Sequence, residues 1–211
     1  MQGACFKLSG LPQHRFALKA LRPLLPILLG ALLAACAQPP PWQLQDVSGH
    51  LPDLQFDLTA DNGKPMTAAD VRGKYVLMYF GYTHCPDVCP LTLVHLHGLM
   101  QKLGKDADKV RILFVSVDPA RDTPQVLHQY VSAFDPHVIG LTGTPDQIAA
   151  MAKRYRSAFN IDARQANGDY TVSHGSIIYV FDAQGRARLV GNSSDTPDAI
   201  THDLKWLMQN G

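Results

Sequence analysis

The stretch "KYVLMYFGYTHCPDVCPLTLVHLHGLMQKLG", Lys74 to Gly104, sets the frame for the whole chain. Lys74 to Tyr82 is an almost continuous run of apolar, β-branched and aromatic residues, which predicts a buried strand. Leu93, Leu96, Met100 and Leu103 then recur at helical spacing. Between strand and helix lie Cys85 and Cys89, four apart, each followed by a proline. Two sulfurs so close could form a disulfide switch, hold a metal, or do both. A helix amino end carries free N–H groups and positive partial charge, which favours a thiolate there. With Pro90 as the first helical residue, Cys89 becomes the cap and Cys85 lies in the preceding loop.

Outward from this stretch the chain alternates strand and helix. Val110 to Asp118 predicts a second buried strand, "VIGL" a short one, and "SIIYVFD" a strand paired through the turn "AQG" with "RARLVG". Three helices open on the same signal, Thr-Pro, at Thr123, Thr144 and Thr196. The threonine caps and the proline suits the first turn. Gln147 completes a capping box at Thr144. Parallel strands joined by helices, closed by an antiparallel hairpin, describe an α/β domain with a central mixed sheet flanked by helices. The order fits a thioredoxin-like fold with an N-terminal extension. "FNIDARQANGDYTVSH", Phe159 to His174, adds an inserted loop or small hairpin.

The chain has 211 residues, a net charge of +1 and 46% hydrophobic residues. These values exclude general disorder, and the charge offers no basic footprint for nucleic acid. The first residues are unlike the rest. Lys7, Arg15, Lys19 and Arg22 form a positive leader, followed by an apolar run from Pro23 to Cys36. That run is about 14 residues, against the roughly 20 that span a bilayer, so residues 1–35 read as a signal peptide. Its end, "LLAAC", resembles a bacterial lipobox, which implies cleavage before Cys36 and lipidation of that thiol. The alternatives are an uncleaved anchor and a plain secretory signal. Residues 36–50, rich in proline, predict an extended tether, and residues 51–211 one domain with a sizeable core. The expected location is the bacterial cell envelope, on the periplasmic face of the inner membrane.

Cys5 leaves with such a leader and Cys36 carries lipid, so Cys85 and Cys89 are left as the free thiols of an oxidising compartment. Thiolates are soft donors that select Cu(I) and Zn²⁺. Structural zinc takes four tight ligands, and would have to draw two histidines from His84, His95 and His97. His95 and His97 are two apart on a predicted helix and point in different directions. Two thiolates and one imidazole suit Cu(I). His174 is the candidate imidazole, because it directly precedes "SIIYVFD", and in a thioredoxin-like sheet that loop lies beside the cysteine loop.

"GYTHCPDVCP", "FVSVDPARDTP" and "YTVSHGSIIYVFD", in that order, resemble the Sco/SenC family of copper-binding thioredoxin-like proteins, and "FDPHVIGLTGTPDQIAAMAKRYR" is similar to the family's middle section. The resemblance implies a membrane-tethered protein that delivers copper, as Cu(I) and/or Cu(II), to the CuA-bearing subunit of cytochrome c oxidase, or reduces its cysteines. It implies Cys85, Cys89 and His174 as copper ligands, Cys85 and Cys89 also as a redox pair, and Asp118 as an accessory residue in copper loading. Without the resemblance, Asp118 reads equally as a turn former before Pro119, and Arg121 and Asp122 as shaping the turn and helix start. One departure stands out: the family commonly has Asp before the histidine and Ser or Thr after it, whereas this chain has Ser173 and Gly175.

The implied function is copper metallochaperone, with the CuA-bearing subunit or another copper chaperone as partner. A copper sensor or buffer and a thiol–disulfide reductase are the alternatives, with a peroxidase a weaker variant. The three-residue spacer, and the absence of a proline before "SIIYVFD", favour copper over reductase work.

Overall fold

The computed structural model describes residues 42–166 and 168–211. The leader, Cys5, Cys36 and the start of the expected tether lie outside the described residues.

The strand at the centre is β4 (Tyr75–Gly81), buried along almost its whole length. It feeds α1 (Val88–Leu103), and β5 (Val110–Ser116) returns parallel to β4. Continuous apolar runs such as these belong to strands covered on both faces. Next come α2 (Pro124–Val131), β6 (Val138–Thr142) parallel to β5, and α3 (Pro145–Arg154). The chain closes with β9 (Ile177–Phe181), β10 (Ala187–Asn192) and α4 (Pro197–Asn210). β9 is antiparallel to β4, and β10 to β9. The expected mixed sheet flanked by helices is therefore present. Thr123, Thr144 and Thr196 each accept a backbone N–H at the start of their helices, and Gln147 completes its capping box.

Three short strands extend this sheet: β1 (Gln45–Asp46), β2 (Asp57–Ala60) and β3 (Pro65–Thr67). The order across the sheet is β1-β10-β9-β4-β5-β6-β2-β3. The compact unit starts at Trp42 rather than Leu51, so residues 42–50 are built into the domain and not into a tether. The cause is local. The N–H groups of Gln43 and Leu44 donate to the buried Asp203 carboxylate, Trp42 packs edge-on to Trp206, and β1 pairs with β10.

The insertion forms a hairpin of β7 (Phe159–Ile161) and β8 (Val172–His174). These two strands pair with each other in a sheet of their own. His174 thus stands on a different sheet from the strand that leads to the cysteines.

Candidate metal centre

The start of α1 differs from the sequence expectation. Asp87, not Cys89, is the cap, and the first helical bond runs from Leu91 N–H to the Asp87 carbonyl at 3.2 Å. Cys89 is therefore the second helical residue and Pro90 the third. The first-turn N–H groups of a helix have no acceptor within it, so a proline at that position forfeits nothing. Starting earlier turns Cys89 inward, where it is fully buried, while Cys85 stays in the loop at the edge of the core.

Behind Cys89, β4 ends in Gly81. A Cβ there would come within 2.8 Å of the Cys89 Sγ and 2.7 Å of the Phe114 ring, so the sulfur packs against bare backbone. The Tyr79 hydroxyl lies 3.7 Å from the same sulfur. Across the gap, His174 Nε2 stands 3.2 Å from Cys89 Sγ. The donor atoms of Cys85, Cys89 and His174 all lie within 4.8 Å of one another, which makes them the one group among the described residues suited to hold a metal ion.

The imidazole is oriented from behind. Its Nδ1 lies 2.9 Å from the Gly175 carbonyl, which can only accept, so Nδ1 carries the proton of the neutral ring, and in that tautomer Nε2 presents a lone pair to the sulfurs. Because a backbone carbonyl provides this support, the departure at Gly175 leaves it intact. A side chain at position 175 would meet open space. Ser173 is exposed and sits opposite Asn160 on β7. The rings of Tyr82 and Tyr79 meet the imidazole edge-on at 5.7 and 6.0 Å.

The thiol chemistry differs from the expectation of a helix-activated thiolate at Cys89. Burial pushes that thiol up to about 12, outweighing the Tyr82 backbone N–H and the Tyr79 hydroxyl that favour the thiolate. Burial therefore favours the protonated thiol at the metal-free Cys89, with its sulfur 3.2 Å from Nε2. A bound cation changes this, since coordination displaces the proton. Burial also raises the Tyr79 hydroxyl far above its usual range, so it stays a neutral donor to sulfur. An open groove lined by Phe159, Ser173, His174, Gly175 and Ile177 gives access to the imidazole.

The other candidates lie elsewhere. His84 bonds the Thr83 hydroxyl at 3.1 Å, and His97 faces Asp135 at 2.8 Å, so neither joins the cluster. Asp118 is fully buried but committed: one carboxylate oxygen accepts from the Tyr170 hydroxyl at 2.6 Å, the other from Arg121 Nε. It stands outside the cysteine–histidine cluster as a brace.

Two supports are invisible in the sequence. Asp122, expected to shape a turn, also accepts from Thr83 N–H (3.0 Å), Thr83 Oγ1 (2.6 Å) and Ser116 Oγ (2.6 Å), which ties the cysteine loop to the end of β5. Tyr170 closes over Arg121, its ring centroid 3.7 Å from the guanidinium carbon. Asp122 stands inside the quoted "FVSVDPARDTP", but nothing in that motif tells which loop it grips.

The SCO1/SenC family profile matches residues 48–209. The mitochondrial protein SCO2 of Saccharomyces cerevisiae is 45% identical over 133 residues, covering 62% of this chain and 44% of the yeast protein. The chain thus spans under half the length of that relative. Copper-bound ScoI of Bradyrhizobium japonicum is 44% identical, with a TM-score of 0.68, over 74% of this chain and 98% of that one. BsSco, a member of the Sco family of cytochrome c oxidase assembly proteins in which a disulfide switch was identified, is 26% identical with a TM-score of 0.62, over 80% and 99%. The family profile covers most of the described residues and the fold agrees with these structures, so the chain belongs to the SCO1/SenC family.

Proposed function

We propose that this protein is a copper metallochaperone that holds one Cu(I) between Cys85, Cys89 and His174 and passes it on by ligand exchange. The observation that carries the reading is the convergence of two sulfurs and one bare imidazole nitrogen within 4.8 Å. Two soft thiolates and one nitrogen satisfy three-coordinate Cu(I), whereas structural zinc needs a fourth tight ligand. Copper-bound ScoI supports the choice of metal, and BsSco's place among cytochrome c oxidase assembly proteins supports the CuA-bearing subunit as acceptor, directly or through another chaperone.

A second reading keeps the same sulfurs as a redox pair. Cys85, at the edge of the core, would attack a partner disulfide and release one partner thiolate; Cys89 would then displace the second and leave a Cys85–Cys89 disulfide. The proximity of the sulfurs and the disulfide switch of BsSco support it. We also propose that residues 1–35 are removed and that lipid on Cys36 holds the domain at the periplasmic face of the inner membrane. The apolar run ending in "LLAAC" supports this, and absence of fatty-acid label from Cys36 in intact cells would exclude it.

Anaerobic Cu(I) titration with X-ray absorption tests the leading reading. We expect one copper per domain, lost in Cys85→Ser and Cys89→Ser and strongly weakened in His174→Ala. An unchanged nitrogen and sulfur shell in His174→Ala removes that histidine from the site. Turnover of a partner disulfide without copper, at a rate that accounts for oxidase assembly, would instead establish the reductase.

A further inference from the structure

His174 and the cysteines reach each other from separate sheets. β7 and β8 pair with each other and not with the main sheet, so no backbone ladder holds β8 in register with β4. His174 is joined to the main sheet only at its C-terminal side, where β9 begins at Ile177 and pairs with β4, so the hairpin that leads into it needs its own anchor. Three loops meet beside the imidazole. Tyr82 comes from the cysteine loop, Asp118 and Arg121 from the β5–α2 loop, and Tyr170 from just ahead of β8.

Their contacts form one stack. The Arg121 guanidinium lies over the Tyr170 ring at 3.7 Å and reaches the Tyr82 ring at 5.8 Å. Tyr82 in turn meets the His174 imidazole edge-on. Arg121 Nη1 donates to the Tyr170 carbonyl at 3.1 Å and to Asp169 at 3.2 Å. The Tyr170 hydroxyl and Arg121 Nε share the two oxygens of buried Asp118. Arg121 Nη2 is buried without a hydrogen-bond partner, so the ring faces, and not a full set of acceptors, hold that end of the guanidinium. A planar cation between two aromatic rings is a geometry that lysine cannot reproduce.

We propose that the Arg121–Tyr170 stack is a latch that positions His174. It pins the β7–β8 hairpin to the β5–α2 loop and, through Tyr82, to the cysteine loop, and so keeps the imidazole within bonding distance of the metal. Arg121 and Tyr170 are positioning residues; neither touches the metal. The inference rests on the reading of His174 as a ligand.

Three variants separate the parts, each loaded anaerobically with Cu(I) alone. Tyr170→Leu keeps an apolar side chain but removes the ring and hydroxyl. Arg121→Lys keeps the positive charge beside Asp118 and removes the planar stack. Tyr170→Phe keeps the stack and removes only the hydroxyl. Supporting residues around a metal typically account for about 10–100-fold in affinity, and we expect that loss in Tyr170→Leu and Arg121→Lys by competition with a cuprous chelator. Copper X-ray absorption of both should lose nitrogen scattering as His174→Ala does, while two sulfurs remain. Tyr170→Phe should stay near wild type in both readouts. Unchanged thermal unfolding identifies the variants that keep the fold, and where Tyr170→Leu does not, Arg121→Lys decides. Retained nitrogen scattering and affinity within about twofold in Arg121→Lys overturns the latch. If His174→Ala also leaves the copper shell unchanged, the ligand reading itself has failed and the latch falls with it.

Discussion

At position 81 a single methyl group is too much. The Cβ of an alanine would overlap both the Cys89 sulfur and the Phe114 ring, and both neighbours are buried. Gly81→Ala must therefore push α1 away from β4 or turn the sulfur off its present line. We expect it to cost about 1–3 kcal/mol in chemical denaturation and to weaken Cu(I) in chelator competition. Wild-type values in both would mean that the end of β4 yields freely. Single residues also show where sequence reading stops. The two cysteines are legible because sulfur chemistry is rare, and His174 because it directly precedes a recognisable strand. Asp122 and Tyr170 are not. Each acts on a partner dozens of positions away, and a buried acceptor or ring leaves no periodic trace. The protonation of Cys89 departs from expectation for a related reason. A helix amino end favours a thiolate, but full burial opposes it more strongly, and burial depends on where α1 begins.

Between elements, Asp135 performs a similar tying function far from the sulfurs. Its carboxylate accepts from His97 on α1 at 2.8 Å, and from the ring and backbone N–H of His137 just before β6 at 2.7 and 2.8 Å. Burial pushes this carboxyl up, yet the donors outweigh it and hold its pKa below the ordinary 3.8. A carboxylate depressed in this way stabilises the fold above its unfolded pKa, and the contribution fades as pH falls through the lower folded value. Asp135→Asn should therefore have a lower urea midpoint than wild type at neutral pH. The gap should close as pH drops below about 4; a gap that persists there would assign the effect to packing. The helices themselves are legible wherever a Thr-Pro start announces them. The strands β1, β2 and β3 are not, since two to four residues carry too little pattern and these owe their form to the strands beside them.

Over the whole molecule, the order of strands and helices is legible from alternating apolar runs and caps. The boundary of the domain is not. Prolines before Trp42 point to an extended tether, but the Asp203 carboxylate draws Gln43 and Leu44 onto the last helix, some 160 positions away. The metal cluster is equally a product of long-range closure, because Cys89 and His174 are 85 residues apart. Such a cluster has no counterpart on an extended chain. Copper that binds it should raise the thermal midpoint, and free Cu(I) at a hundredfold excess over Kd adds about 2.7 kcal/mol. That corresponds to about 5–11 °C at this chain length. A midpoint that ignores copper would show that the folded domain binds the metal no better than the unfolded chain does. The separation of the donors thus ties full-strength copper binding to completed folding: a domain that has not closed its hairpin over its cysteines has two sulfurs to offer and no imidazole.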